Sequence, residues 1–98
     1  MKILWSAEAR ADLQAIKRYI ARDSEHYASL TVTRIIERIE RAARAPTAGH
    51  RVHEFLERPL REVHAGNYRI IYRFTKVALD VVTIVHFRQT LPDERIGL

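Results

Sequence analysis

Apolar residues recur along the first part of the chain at Ala9, Leu13, Ile16 and Ile20, spaced by four, three and four, while Arg10, Gln14, Lys17 and Arg18 fall between them. That is the 3.6-residue period of an amphipathic helix. Ser6 stands where an N-cap belongs, and Glu8 falls in the first turn, where a negative charge meets the positive end of the helix dipole. The run KILW before it suits a strand. Asp23 and Ser24 interrupt the period and offer a cap to a second helix, whose stripe is Ala28, Val32, Ile35, Ile39 and Ala42, broadened by Ile36 and Ala43. Glu37 with Arg41, and Glu40 with Arg44, have the i, i+4 order that supports an exposed helix face. Pro46 and Gly49 end this helix. So short a break between two helices predicts an antiparallel helical hairpin.

Beyond Gly49 the period changes to two. Val52 and Phe55 suggest a short extended segment, and LREVH and YRIIYRF flank Ala65, Gly66 and Asn67, the signature of a β-hairpin turn. Tyr68, Ile70, Tyr72 and Phe74 share one strand face; Arg69, Ile71 and Arg73 share the other. Two apolar helix stripes need covering, which assigns Tyr72, Phe74 and Trp5 to the core and leaves the hydroxyl of Tyr68 wet. LDVVTIVHF predicts a third strand, apolar on both faces as a well-covered strand is. The expected fold is α+β: an N-terminal strand, then a helical hairpin packed on a small antiparallel sheet, β-α-α-β-β-β. Residues 1–98 are expected to form one domain. The tail TLPDERIGL holds a proline and no period, so 89–98 is expected to be an extended C-terminal arm.

Composition narrows the classes. No apolar run approaches the roughly 18 residues of a membrane span, and Met1–Trp5 is too short before the first charges for a signal peptide, so the expected location is cytoplasmic. The absence of cysteine removes disulfides, zinc-thiolate sites and thiol nucleophiles together. Net charge is +5, and with Lys2, Lys17 and Lys76 the only lysines, 14 of the 17 basic residues are arginine. Arginine favours two-pronged recognition of carboxylate or phosphate. His50, His53 and His64 raise a metal question, but His50 and His53 lie in a predicted loop with no fixed third ligand, so no metal and no cofactor is expected.

Taken in order, Trp5-Ser6 and Ala9, the helix DLQAIKRYIA, a second helix ending in a Pro and Gly pair, LREVHAGNYRIIYRF and the close IVHFR resemble the ParE toxins of the RelE/ParE superfamily of bacterial type II toxin–antitoxin modules. The likeness runs from Ile3 to about Arg88 and implies the same fold. It also implies a growth-inhibiting toxin that poisons DNA gyrase as a binder rather than an enzyme, neutralised by a cognate ParD-like antitoxin. By the same likeness, the surface around the last strand and the arm engages the target, with His86, Arg88, Arg69, Arg73 and Leu91 as target-binding residues.

The alternative is RelE-like cleavage of messenger RNA on the ribosome. Attack by a 2′-hydroxyl needs a base, a cation and an acid, and Glu54, Arg69 or Arg73, and His86 are the available types. Against it, the lysine-rich surface is absent, and Phe87 stands where some such nucleases have a tyrosine after the histidine. Arg61 with Glu62, and Arg73 with Asp80, also have a plainer reading as cross-strand ion pairs.

Overall fold

Each helix begins at the cap its sequence offers. A computed structural model describes residues 1–96. Strand β1 (Lys2–Trp5) leads into helix α1 (Ala7–Ala21), where Ser6 Oγ accepts the Ala9 N–H at 2.9 Å. Helix α2 (Glu25–Arg44) opens with Ser24 Oγ accepting the Tyr27 N–H at 3.1 Å. Strands β2 (His50–Arg51), β3 (Arg61–Ala65), β4 (Tyr68–Phe74) and β5 (Ala78–His86) follow, with single 3-10 turns at Pro46–Ala48, His53–Phe55 and Asp93–Ile96. The five strands lie in the order β1-β5-β4-β3-β2. β2 to β5 form the expected antiparallel meander, whereas β1 runs parallel to β5, with Lys2 opposite Ala78 and Trp5 opposite Val81. The sheet is therefore mixed, a matter of strand direction on which alternation of side chains is silent.

The two faces of the sheet carry separate cores. On the helix side Ala9, Ile35, Ile39 and Ala42 close over Val63, Ile70, Tyr72, Leu79, Val81 and Ile84. On the opposite side Val52, Leu60, Ile71, Val82, Val85, Leu91 and Ile96 form a second cluster with Phe55. β5 serves both by a bulge: Tyr72 pairs with Val81 but Ile71 with Thr83, so one extra residue enters β5. The bulge reverses the alternation, so that Leu79 and Val81 before it, and Ile84 after it, all face the helices. Gly66, at φ +57°, makes the two-residue turn between Ala65 and Tyr68. Asn67 keeps a negative φ, which fits the II′ class of hairpin turn.

The segment expected to be an extended arm behaves otherwise as far as Ile96. Leu91 and Ile96 are buried in the second cluster, and Asp93–Ile96 coils into a 3-10 turn. The apolar face of β4 and β5 away from the helices needs a cover, and these two side chains supply part of it. Residues 97–98 of that expectation lie outside the described residues.

Gly49 closes the helix-to-sheet connection by proximity rather than by backbone freedom. A β-carbon there would overlap the hydroxyl of Tyr72, a fully buried ring whose hydroxyl donates to the Pro46 carbonyl at 2.6 Å. Gly49→Ala is expected to destabilise the fold by about 1–3 kcal/mol through overpacking. Tyr72→Phe alone is expected to cost about 1 kcal/mol. In a denaturant double-mutant cycle the two losses should be clearly less than additive, because the phenylalanine vacates the space the new methyl needs.

Candidate functional site

Arg69, the second residue of β4, is the residue around which the β3–β4 turn end of the sheet is built. Counting out from the turn, β3 and β4 pair His64 with Arg69 and Glu62 with Ile71, which places Glu62 diagonally beside Arg69 on the face away from the helices. The 3-10 turn His53–Phe55 brings Glu54 to the same guanidinium. All five N–H groups of Arg69 are used. Nε donates to Glu62 Oε2 at 3.1 Å, Nη2 to Glu62 Oε1 and Glu54 Oε1 at 2.7 Å each, and Nη1 to Glu54 Oε2 at 3.0 Å and the Gln89 carbonyl at 3.2 Å.

The carboxylates are equally satisfied. Glu54 Oε2 also accepts the Leu91 N–H at 2.9 Å, and Glu62 Oε2 lies 2.5 Å from His64 Nε2. Hydrogen bonding to Arg69 is the main reason the Glu54 carboxyl titrates at about 2. For Glu62, burial pushes upward, but the hydrogen bonds from Arg69 and His64 outweigh it and hold the carboxyl below its usual range. The hydrogen bonds from Glu54 and Glu62 raise Arg69 in turn, so it carries its charge at every accessible pH.

A second junction ties the C-terminal segment to α1. β1 stops at Trp5, and past it the edge of β5 is met by helix α1: Ser6 Oγ donates to the Val82 carbonyl at 2.7 Å, and Asp12 Oδ2 accepts the Ile84 N–H at 2.9 Å and the Thr83 hydroxyl at 2.6 Å. Asp12 Oδ1 takes Arg95 at 2.6 Å. Neither Asp12 nor Arg95 stood out in the sequence, since each looks like one more charge on a polar stretch.

The structure sorts the sequence candidates into three places. Arg69 and Leu91 are buried, at 4% and 1% exposure, and serve as anchors rather than contact residues. Both carry surface-like signals in sequence, and their burial comes from partners distant in the chain. Arg73 sits at the far end of β4, half-exposed and 3.9 Å from Asp80, the cross-strand pair expected of it. His86 lies on the helix side, its ring edge-on to Tyr68 with centroids 5.7 Å apart, and Arg88 follows it, exposed. Glu54 and Arg69 do meet, but each is spent on the other, with His86 on the opposite face and Arg73 at the other end of the strand. The base, cation and acid of a ribonuclease are not assembled. Arg61 does not pair with its neighbour Glu62; it donates to the Gly49 carbonyl at 2.9 Å.

Among the described residues, His53, Glu54 and Glu62 bring one ligand atom each within 4.8 Å of one another. Arg69 already occupies both carboxylates and places a fixed positive charge between them, which opposes a cation.

Two surfaces remain open beside this framework. Ile16 and Ile20 of α1 are only half-buried and, with Tyr19, Tyr27, Tyr68 and Ile84, line a groove of about 910 Å³ between the helical hairpin and the β3–β4 turn. Burial raises the Tyr68 hydroxyl above its ordinary value, helped by Tyr19. Arg34 continues this groove into a second of about 580 Å³ lined by Arg38, Arg41 and Arg44. The other surface is the turn after β5, where Phe87 is 56% exposed beside Arg88.

Residues 3–91 match the family model described as the ParE toxin of type II toxin–antitoxin system, parDE. The chain belongs to that family. Among solved structures, it is similar to a chain of the chromosomal ParDE TA system from P. aeruginosa, at 19% identity and a TM-score of 0.70, over 88% of this chain and 95% of that one. No curated protein sequence matches it.

The hub sets two measurable expectations. Glu54 stays ionised in the fold down to about pH 2, whereas an unfolded glutamate protonates near 4.5. The stability from that difference is complete above about 4.5 and drains away as pH falls toward 2. Denaturation midpoints followed from pH 5 to pH 2 should register a loss of about 3 kcal/mol at most from this group, and Glu54→Gln should flatten that part of the profile. Arg69→Ala strands the buried Glu62 and the largely covered Glu54 and is expected to cost about 3–5 kcal/mol, with Arg69→Lys far from neutral because an ammonium cannot span both.

Proposed function

We propose that the chain is the toxin of a toxin–antitoxin pair, that it arrests growth by binding DNA gyrase and stabilising its cleaved-DNA state, and that a cognate ParD-like antitoxin blocks it. Family membership supports the toxin half of this reading. The observation that carries the rest is the engagement of Arg69 and Glu54 with each other: the groups best suited to RNA cleavage are structural, and what the rim of the sheet offers instead is an exposed basic and aromatic surface at His86 to Arg88. Such a protein works as a binder in the compartment that holds its target, the cytoplasm.

The antitoxin is acidic and presents an amphipathic segment, disordered in part when alone. The apolar groove beside Tyr19 and Tyr27, continued by the arginines of α2 on a chain of net charge +5, supports that chemistry. Toxin freed of antitoxin is expected to inhibit gyrase supercoiling of plasmid DNA and to raise the yield of gyrase-linked linear product on detergent treatment. Pulse labels taken just after induction should show DNA synthesis falling before protein synthesis. Translation failing first, with gyrase untouched in the purified assay, would overturn the reading in favour of a ribosomal target.

A further inference from the structure

We propose that the turn His86–Gln89 is a preorganised contact element in which Phe87 is the anchor, entering an apolar pocket with an acidic rim on a protein surface. This rests on the toxin reading above and names the residue at the centre of its target contact.

Every backbone N–H of the turn is held. Phe87 N–H donates to the Asn67 carbonyl at 2.6 Å and Gln89 N–H to the His86 carbonyl at 2.9 Å. The Gln89 side chain accepts the His86 N–H at 2.8 Å, and His86 Nδ1 accepts the Arg88 N–H at 3.2 Å. Immediately after it, Arg69 holds the Gln89 carbonyl and Glu54 holds the Leu91 N–H. The buried hub reaches the Phe87 ring by a second route as well. His64, on Glu62, meets that ring edge-on with centroids 5.2 Å apart.

A phenyl ring left 56% in water on a turn this constrained forgoes burial, and its position is already fixed before any partner arrives. Fixing a contact residue in advance removes most of the ordering cost of association, and aromatic residues next to arginine are enriched at the centres of protein interfaces.

The surroundings define the partner. From His86 to Leu91 the chain carries Arg88 and no carboxylate, while Glu54 and Glu62 are turned inward to Arg69. Arg88 is the one formal charge the turn itself presents, and it calls for an acidic group on the partner. Nucleic acid would meet no stack of parallel rings here, since His64 stands edge-on to Phe87 and Tyr68 and His86 pack against each other on the helix side, whereas strands are read on successive stacked aromatics.

Phe87→Ala and Arg88→Ala, on exposed positions, are expected to keep the wild-type thermal midpoint and antitoxin affinity while inhibition of gyrase supercoiling falls tenfold or more; Phe87→Tyr should retain most of it. Full inhibition by Phe87→Ala would overturn the proposal, as would loss of antitoxin affinity with inhibition intact. A tenfold drop in the toxin's own affinity for DNA without gyrase would overturn it in favour of a nucleic-acid contact. Growth arrest on induction separates the two levels of inference. If the wild type arrests growth without touching gyrase, the gyrase reading fails, yet relief of arrest by Phe87→Ala still supports the contact and unrelieved arrest still refutes it.

Discussion

Much of the lower half of this molecule depends on one guanidinium. Arg69 joins β4 to β3 through Glu62, to the β2–β3 connection through Glu54, and to the C-terminal segment through Gln89. A buried ion pair stabilises only when its geometry is good and its remaining lone pairs and protons are met, and here five donors and four carboxylate oxygens are all engaged. Two carboxylates against one cation leave the cluster short of positive charge. The Leu91 N–H and His64 make up part of the difference by hydrogen bonding. Arginine suits the position because its planar fork addresses three partners at once, which an ammonium does not.

That junction explains how a sheet of five short strands is covered on both sides. The helical hairpin protects one face by ordinary amphipathic packing. The other has no helix, and its cover is two irregular segments contributing Val52, Phe55, Leu60, Leu91 and Ile96. Irregular backbone has few repeating hydrogen bonds of its own, so side chains must supply them. Arg69 and Glu54 do this on one flank, taking the Gln89 carbonyl and the Leu91 N–H, and on the other flank Asp12, bonded to Ile84 and Thr83 of β5, holds the segment through the Arg95 side chain. The same fixing leaves the turn after β5 rigid at the rim, while the incompletely buried stripe of α1 keeps a groove open on the helix side. The molecule thus keeps two separate surfaces open, the groove on the helix side and the turn after β5.

The elements were largely legible from sequence. Serine caps, stripes at 3.6 residues and a switch to period two at Gly49 are local signals, and local backbone physics answers to them. The cross-strand partner of Arg73 was readable for the same reason, since a hairpin register counts outward from its turn. Glu62 beside Arg69 was open to the same count. Glu54 was not: it lies 15 residues from Arg69 in the chain, and nothing in a polar, turn-rich stretch announces which cation it will meet.

The sequence by itself determined the α+β class and the faces of the hairpin strands, because each rests on periodicities and caps within a few residues of one another, and the order of its motifs was enough for the likeness to the family. Only the tertiary structure decided that β1 runs parallel to β5, that a bulge lets β5 serve two cores, and that the segment from Leu91 to Ile96 folds back. It also decided the roles of the arginines. A guanidinium on a strand face reads alike whether it meets a phosphate, a partner or two carboxylates of its own chain, and burial by residues distant in the chain made Arg69 a support and left Phe87 and Arg88 at the surface.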